Sequence, residues 1–385
     1  MKRCGRQANH LNFAKKNKIF FSLFCFFSFL PVSKAQVPAH NHVVIVIMEN
    51  HDYDSIIGSW QSPYINQLAN DSNAALFTQS FALTHPSQPN YLILFSGSDQ
   101  NVTTDVVPPS SLLPFSTPNL SAELSSKGKK FIGYSESLPA IGYSSDSAKP
   151  WVRKHCPWVN WQSNVPALNS IPPSENLPFA TFPLIYDSLP DVCMIVPNLY
   201  DDMHDSSIAK GDVWLKNNLD PLVQWTKTHN GLFILTFDED DGLGTNHIPT
   251  IFLGQNVLAG KYSENIDHYY VLSTIENMFG LPYMGNTSAL LAITDCWKKT
   301  AIEDLDDEKY FTIYPNPSSG KFALSVNSSE KKLSVAEITI ENVYGEKILS
   351  TKNSEINISD KENGIYLMRL KTTERIINKK IILVH

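Results

Sequence analysis

Hydrophobic positions along the chain follow three different patterns. Between residues 36 and 300 they come as short unbroken runs: Val43 to Met48, Phe131 to Tyr134, Val192 to Val196, Leu232 to Phe237 and Thr250 to Leu253. A strand with one face in water alternates apolar and polar residues, whereas a strand covered on both faces reads as continuously apolar. Between these runs lie helically spaced segments, one from Asp212 through Trp225 and another from Tyr270 through Phe279. Strands alternating with helices predict an α/β domain built on a mostly parallel sheet, covered by helices on both faces. After residue 310 the period drops to two, as in Phe322 to Val326, Ala336 to Ile340, Gly364 to Leu370 and Ile381 to Val384. Turn residues separate these runs, so the expectation is a small C-terminal β-sandwich over 311–385. At the other end, the apolar run Ile19 to Leu30 is short for a bilayer span and is followed by the small residues Ser33 and Ala35. It predicts a cleaved signal peptide over 1–35, with a membrane anchor as the alternative.

Charge divides the chain at the same places. Residues 1–35 hold seven Lys or Arg and no acid, residues 36–300 hold 12 basic and 25 acidic residues, and residues 301–385 hold 12 and 13. Glu303 to Glu308 is nearly all acidic and reads as a solvated linker over 301–310. A total net charge of -7 provides no basic field for nucleic acid. Of five cysteines, Cys156, Cys193 and Cys296 lie beyond the leader. An oxidising compartment permits one disulfide among them, and Cys156–Cys193 is the pair expected.

Ligands of open α/β sheets sit beyond the carboxyl ends of the strands. Polar residues gather there: Glu49-Asn50 after the first run, Pro197-Asn198 after the third and Asp238-Glu239 after the fourth. Each pair alone reads as a turn or a helix cap. Together they place hard oxygen ligands where a divalent cation binds. Thr84-His85-Pro86-Ser87-Gln88-Pro89-Asn90-Tyr91 leads into another apolar run, with proline in its first turn, and so predicts a helix starting at or just after Ser87. A serine there is an ordinary N-cap or a nucleophile beside an anion seat, and position alone leaves both open.

Glu49-Asn50-His51, His85 to Tyr91, Pro197-Asn198 with Asp202-Met203-His204-Asp205, and Asp238-Glu239 with Asn246-His247-Ile248-Pro249 occur in that order. The set resembles the phosphoesterase family of secreted bacterial acid phosphatases and phospholipases C, a branch of the alkaline phosphatase superfamily. The resemblance implies a secreted phosphatase that hydrolyses phosphate monoesters through a phosphoserine, with a phospholipase C or phosphodiesterase acting on phospholipid head groups as the alternative. Ser87 would be the nucleophile, with His204 or His155 protonating the leaving oxygen. Lys154, His85, Asn90 and His247 would face the substrate. Glu49, Asn50, Asp238 and Glu239 would hold one divalent cation, whether Ca, Mg, Mn or Zn. A sulfatase is disfavoured because Tyr91 stands where its conversion motif needs arginine. A binding protein on a decayed enzyme fold is the competing class, against which stand the intact Ser87 and acidic pair.

The tail, with Tyr314-Pro315-Asn316-Pro317 through Gly320 and Gly364-Ile365-Tyr366, resembles the sorting domain of type IX secretion cargo. That implies the type IX machinery as a partner and a secreted or cell-surface protein. An adhesive or sugar-binding β-module is the alternative.

Overall fold

The structure is a computed structural model that describes residues 37–298, 311–326, 335–343, 345–372 and 376–385. The expected signal peptide and acidic linker lie outside the described residues. Eight strands form the main sheet: β1 His42–Met48, β2 Ala74–Phe77, β3 Phe131–Ser135, β4 Asn176–Pro178, β5 Val192–Val196, β6 Gly231–Phe237, β7 Thr250–Gly254 and β8 Gly260–Tyr262. Their order is β8-β2-β7-β6-β1-β5-β3-β4. The five from β6 to β4 run parallel, and β7 is antiparallel to both β6 and β2. Five helices matter for the site: α1 Pro63–Ala69, α2 Ser87–Ser96, α3 Leu120–Ser126, α4 Ile208–Thr226 and α5 His268–Phe279.

Strand parity sorts the core into two clusters. Val43, Ile45 and Ile47 pack with Leu92 and Phe95 of α2, Leu120 and Leu124 of α3 and Leu272 and Ile275 of α5. Val44, Val46 and Met48 join Ile65 and Leu68 of α1 and Leu215, Leu219 and Leu222 of α4. The same sorting corrects the expected disulfide. Cys156 belongs to the first cluster and Cys193 to the second, so the sheet separates them. All three described cysteines are free and buried.

The tail holds two antiparallel sheets. One joins Phe311–Tyr314, Lys321–Val326 and Glu355–Asn357; the other runs Lys347–Thr351, Val335–Asn342, Gly364–Thr372, Ile376–Leu383. Side chains from both, including Phe322, Ile356, Ile340 and Met368, form a third cluster that shares no residue with the first two.

Every residue of α2 is buried: Tyr91 to Phe95 form an apolar run, and the polar side chains of Ser87, Gln88, Asn90 and Ser96 each have hydrogen-bond partners. It ends at Gly97, whose φ of 69° is left-handed and whose missing β-carbon would overlap the carbonyl of Met284. Glu276 of α5 fixes that neighbour: its carboxylate accepts from the Met284 N–H at 2.8 Å. Burial pushes the Glu276 carboxyl up from 4.5 to about 7. The native state therefore binds a proton that the unfolded chain has released, and stability falls as pH rises from about 4.5 through about 7. Glu276→Gln keeps the acceptor and removes the charge. It should raise stability at pH 8 by on the order of 2–3 kcal/mol and leave it nearly unchanged at pH 4.5. Denaturant midpoints at the two pH values measure this; an equal gain at both contradicts it.

Candidate active site

β1 and β6 are neighbours in register, with Met48 opposite Phe237, so the next residues, Glu49 and Asp238, emerge side by side. Asn50 then turns the chain with a φ of 50° and donates its N–H to Asp238 Oδ1 at 3.1 Å. Asp202, six residues past β5, is fully buried, and its backbone carbonyl accepts from the Glu49 N–H at 2.9 Å. Glu239 follows Asp238 and is also buried. Four carboxylates thus share one buried region at the carboxyl end of the parallel strands.

Ser87 opens α2 directly against them. Its Oγ stands 3.3 Å from Glu49 Oε2 and 3.4 Å from Glu239 Oε1. One helical turn on, the Tyr91 hydroxyl donates to Glu49 Oε1. Asn90 donates to Glu239 Oε2 at 3.4 Å, while its own oxygen accepts from the N–H groups of Leu83 and Thr84. His155 is buried and stacked on Tyr91, with Nε2 3.3 Å from Glu49 and Nδ1 3.5 Å from Asp202. Those are ion-pair distances without hydrogen-bond geometry, and Nε2 has no hydrogen-bond partner.

The remaining expected residues lie around this centre. His204 is partly exposed: its ring is 6.0 Å from that of His155, and its Nδ1 is 2.7 Å from Asp205. His85, half exposed, pairs with Glu239 at 3.0 Å and Asp240 at 3.4 Å. Lys154 pairs with Asp105 at 2.8 Å. His247 is placed elsewhere: its ring stacks between Tyr53 and Phe81, and Nε2 is 3.1 Å from the Thr78 carbonyl. His268 contacts the centre from behind, through the Asp238 carbonyl at 2.8 Å. Asp202 and Tyr91 are members that the sequence reading did not assign.

Electrostatics mark the centre as incomplete. Burial drives the carboxyls of Glu49 and Asp238 above their ordinary range and those of Asp202 and Glu239 up to about 8. Nearby carboxylates add to the rise at Glu49, Asp202 and Glu239. His155 is pushed well below its usual value by burial, then by Lys154 and His204. Asn50 Oδ1, Asp202 Oδ2 and Asp238 Oδ2 are buried acceptors without a partner. Buried acceptors are normally satisfied. Glu49, His155 and Asp202 also offer ligand atoms that all lie within 4.8 Å of one another. Oxygen acceptors with one neutral imidazole fit a divalent cation.

The phosphoesterase family model matches residues 60–282, and a secretion system C-terminal sorting domain matches residues 312–384. A phosphatidylinositol-3-phosphatase of Mycobacterium tuberculosis is 45% identical over 268 residues, covering 69% of this chain and 86% of that protein. A probable acid phosphatase of Kluyveromyces lactis and an acid phosphatase of Aspergillus fumigatus are each 28% identical, covering 66% of this chain. The match spans 62% and 58% of their respective lengths. Among solved structures, a protein in the alkaline phosphatase superfamily from Vibrio parahaemolyticus gives a TM-score of 0.46 at 10% identity, covering 91% of this chain and 84% of that one. That likeness is too loose to assign chemistry.

Like charges crowded without a counter-ion cost stability, which yields a trade-off. In chelator at pH 8, Asp202→Asn should stabilise the fold by about 1–2 kcal/mol, because the amide still accepts from the His204 N–H while one buried charge is gone. The same variant should lose most of its turnover. Thermal melts beside activity assays decide; a variant less stable than wild type under chelation contradicts the repulsion argument.

Proposed function

Because this chain belongs to the phosphoesterase family and is a phosphoric ester hydrolase, we propose that it cleaves phosphate monoesters on Ser87, with one divalent cation held beside that serine. The observation that carries this reading is the Ser87 hydroxyl within 3.4 Å of both Glu49 and Glu239, at the start of a helix and among partnerless buried acceptors. Glu49, Asn50, Asp238 and Glu239 are the ligands read from sequence, and Asp202 and His155 join them. When bound, the cation supplies neutralising charge to phosphoryl oxygens and lowers the pKa of an oxygen that it touches.

The chain's own residues carry the rest. Ser87 Oγ gives its proton to Glu49 or Glu239 and forms a bond to phosphorus as the bond to the alcohol oxygen breaks. The α2 N-terminus and Lys154 favour the developing negative charge. His155 is buried and neutral, so it is read as a ligand. The proton for the leaving oxygen comes from His204, which is partly exposed with Nδ1 held by Asp205. Water then gives a proton to His204 and attacks phosphorus; the bond to Ser87 Oγ breaks, Oγ takes back its proton from the carboxylate, and phosphate leaves. His85 and Asn90 steady Glu239 from two sides. A monoester dianion gains more than a diester from this much positive charge. Placement in the alkaline phosphatase superfamily belongs to the same reading, and helix cover on both sheet faces is supported by the two core clusters.

The sorting domain marks the protein for export, to release or to surface attachment. We read residues 36–300 as the catalytic domain, 301–310 as a linker and 311–385 as a separate sorting unit, which the tail's own cluster supports.

Ser87→Ala should reduce p-nitrophenyl phosphate turnover by several orders of magnitude while the fold is kept. Wild type should hydrolyse monoesters faster than bis-p-nitrophenyl phosphate or phosphatidylcholine. Activity of the variant within about tenfold of wild type removes the nucleophile assignment. Faster turnover of diesters or phosphatidylcholine replaces the phosphatase with a phospholipase C. A chain ending at Lys298 should keep its specific activity in vitro but fail to reach the cell surface or the medium. Normal folding with lost turnover would place part of the tail in the site.

A further inference from the structure

Lys154 is the lysine whose charge reaches Glu49, Asp202 and Glu239. An ammonium on a flexible four-carbon stem beside several buried carboxylates is strongly drawn into them. Yet its ion pair among the described residues is with Asp105, at 2.8 Å, on the rim of the site. Asp105 is itself firmly held. Its Oδ1 accepts from the Gln88 N–H at 3.0 Å, and the buried Gln88 side chain donates to the carbonyls on either side, Thr104 at 2.7 Å and Val106 at 2.9 Å. The residue following the nucleophile therefore grips three consecutive loop residues, the middle of which holds the lysine.

We infer that Asp105 is a positioning residue: it tethers Lys154 at the rim, keeping the ammonium out of the carboxylate cluster so that the seat stays open to a divalent cation and the lysine stays directed at substrate. The inference rests on the proposed cation site. Without the tether, the Lys154 ammonium folds inward and competes with the metal for the same oxygens. A merely structural Asp105, capping α2 from outside, makes a different prediction, because asparagine supplies the same acceptor to the Gln88 N–H.

The test uses the full chain stripped with chelator and titrated separately with Mg, Ca, Mn and Zn salts, following thermal stabilisation. Asp105→Asn should raise the cation concentration for half-maximal stabilisation by about tenfold or more, since an internal competitor acts by mass action. Adding Lys154→Met to that variant should bring the midpoint back to the wild-type value or below it, because the competitor is gone. An unchanged midpoint in Asp105→Asn overturns the inference, and so does a double variant that stays as weak as the single one. A wild type that responds to none of the four cations overturns the cation site and the tether together, whereas the other two failures leave the cation site standing.

Discussion

Glu49, Asp202, Asp238 and Glu239 are buried together, and the groups that compensate them are modest: hydroxyls of Tyr91 and Ser87, backbone N–H groups of Asn50 and His204, the Asn90 amide and half-exposed His85 on Glu239, a neutral His155, and one lysine held to the side. Carboxylates removed from water are costly unless paired, and mutual repulsion adds to that cost. No local segment would choose this arrangement. It persists because each carboxylate stands at the end of an element whose own packing is not negotiable. β1 sits mid-sheet between β5 and β6, and both its faces are covered by apolar side chains. Moving Glu49 away from Asp238 means slipping a register of seven paired residues and turning a core strand over.

Ser87 is positioned by the same means, through both ends of α2. At its start, Gln88 is bound into the 104–106 loop through backbone and side chain. At its end, Gly97 lies against Met284, which Glu276 fixes in turn. All ten helical residues are buried, so α2 has no solvent face on which to roll. Ser87 Oγ is therefore held by packing, while its hydrogen bonds to the carboxylates are long and weak. A hydroxyl that is placed firmly but bonded loosely is suited to attack.

Much of this was legible in the chain. Unbroken apolar runs gave β1, β3, β5, β6 and β7, and residues at strand ends gave Glu49, Asn50, Asp238 and Glu239. Strand direction was not legible: β7 reads like its neighbours but runs antiparallel, because apolar content carries no polarity. Tyr91 was hidden inside the apolar run that predicts α2, where an aromatic residue is ordinarily core. Asp202 lies in a loop of several acids, and only tertiary folding singles it out. His247 sits close in sequence to Asp238 and Glu239, yet its ring is taken up by Tyr53 and Phe81. The cysteines mislead for a related reason: sequence counts thiols but does not say that a sheet lies between Cys156 and Cys193.

The acidic balance of residues 36–300 sharpens what the site must accomplish. A phosphate ester approaching this segment, with its net charge of -13, is repelled at long range, so binding depends on short-range positive charge. Within the protein that charge is scarce, and the carboxylates at the centre make it scarcer. On the proposed reading, a divalent cation would reverse the sign of the local field at the point where the phosphoryl group sits. The carboxylates that look like an obstacle to phosphate would then be what recruits the charge that binds it. The buried repulsion and the proposed catalysis would then have one origin, and relieving the first by mutation should cost the second.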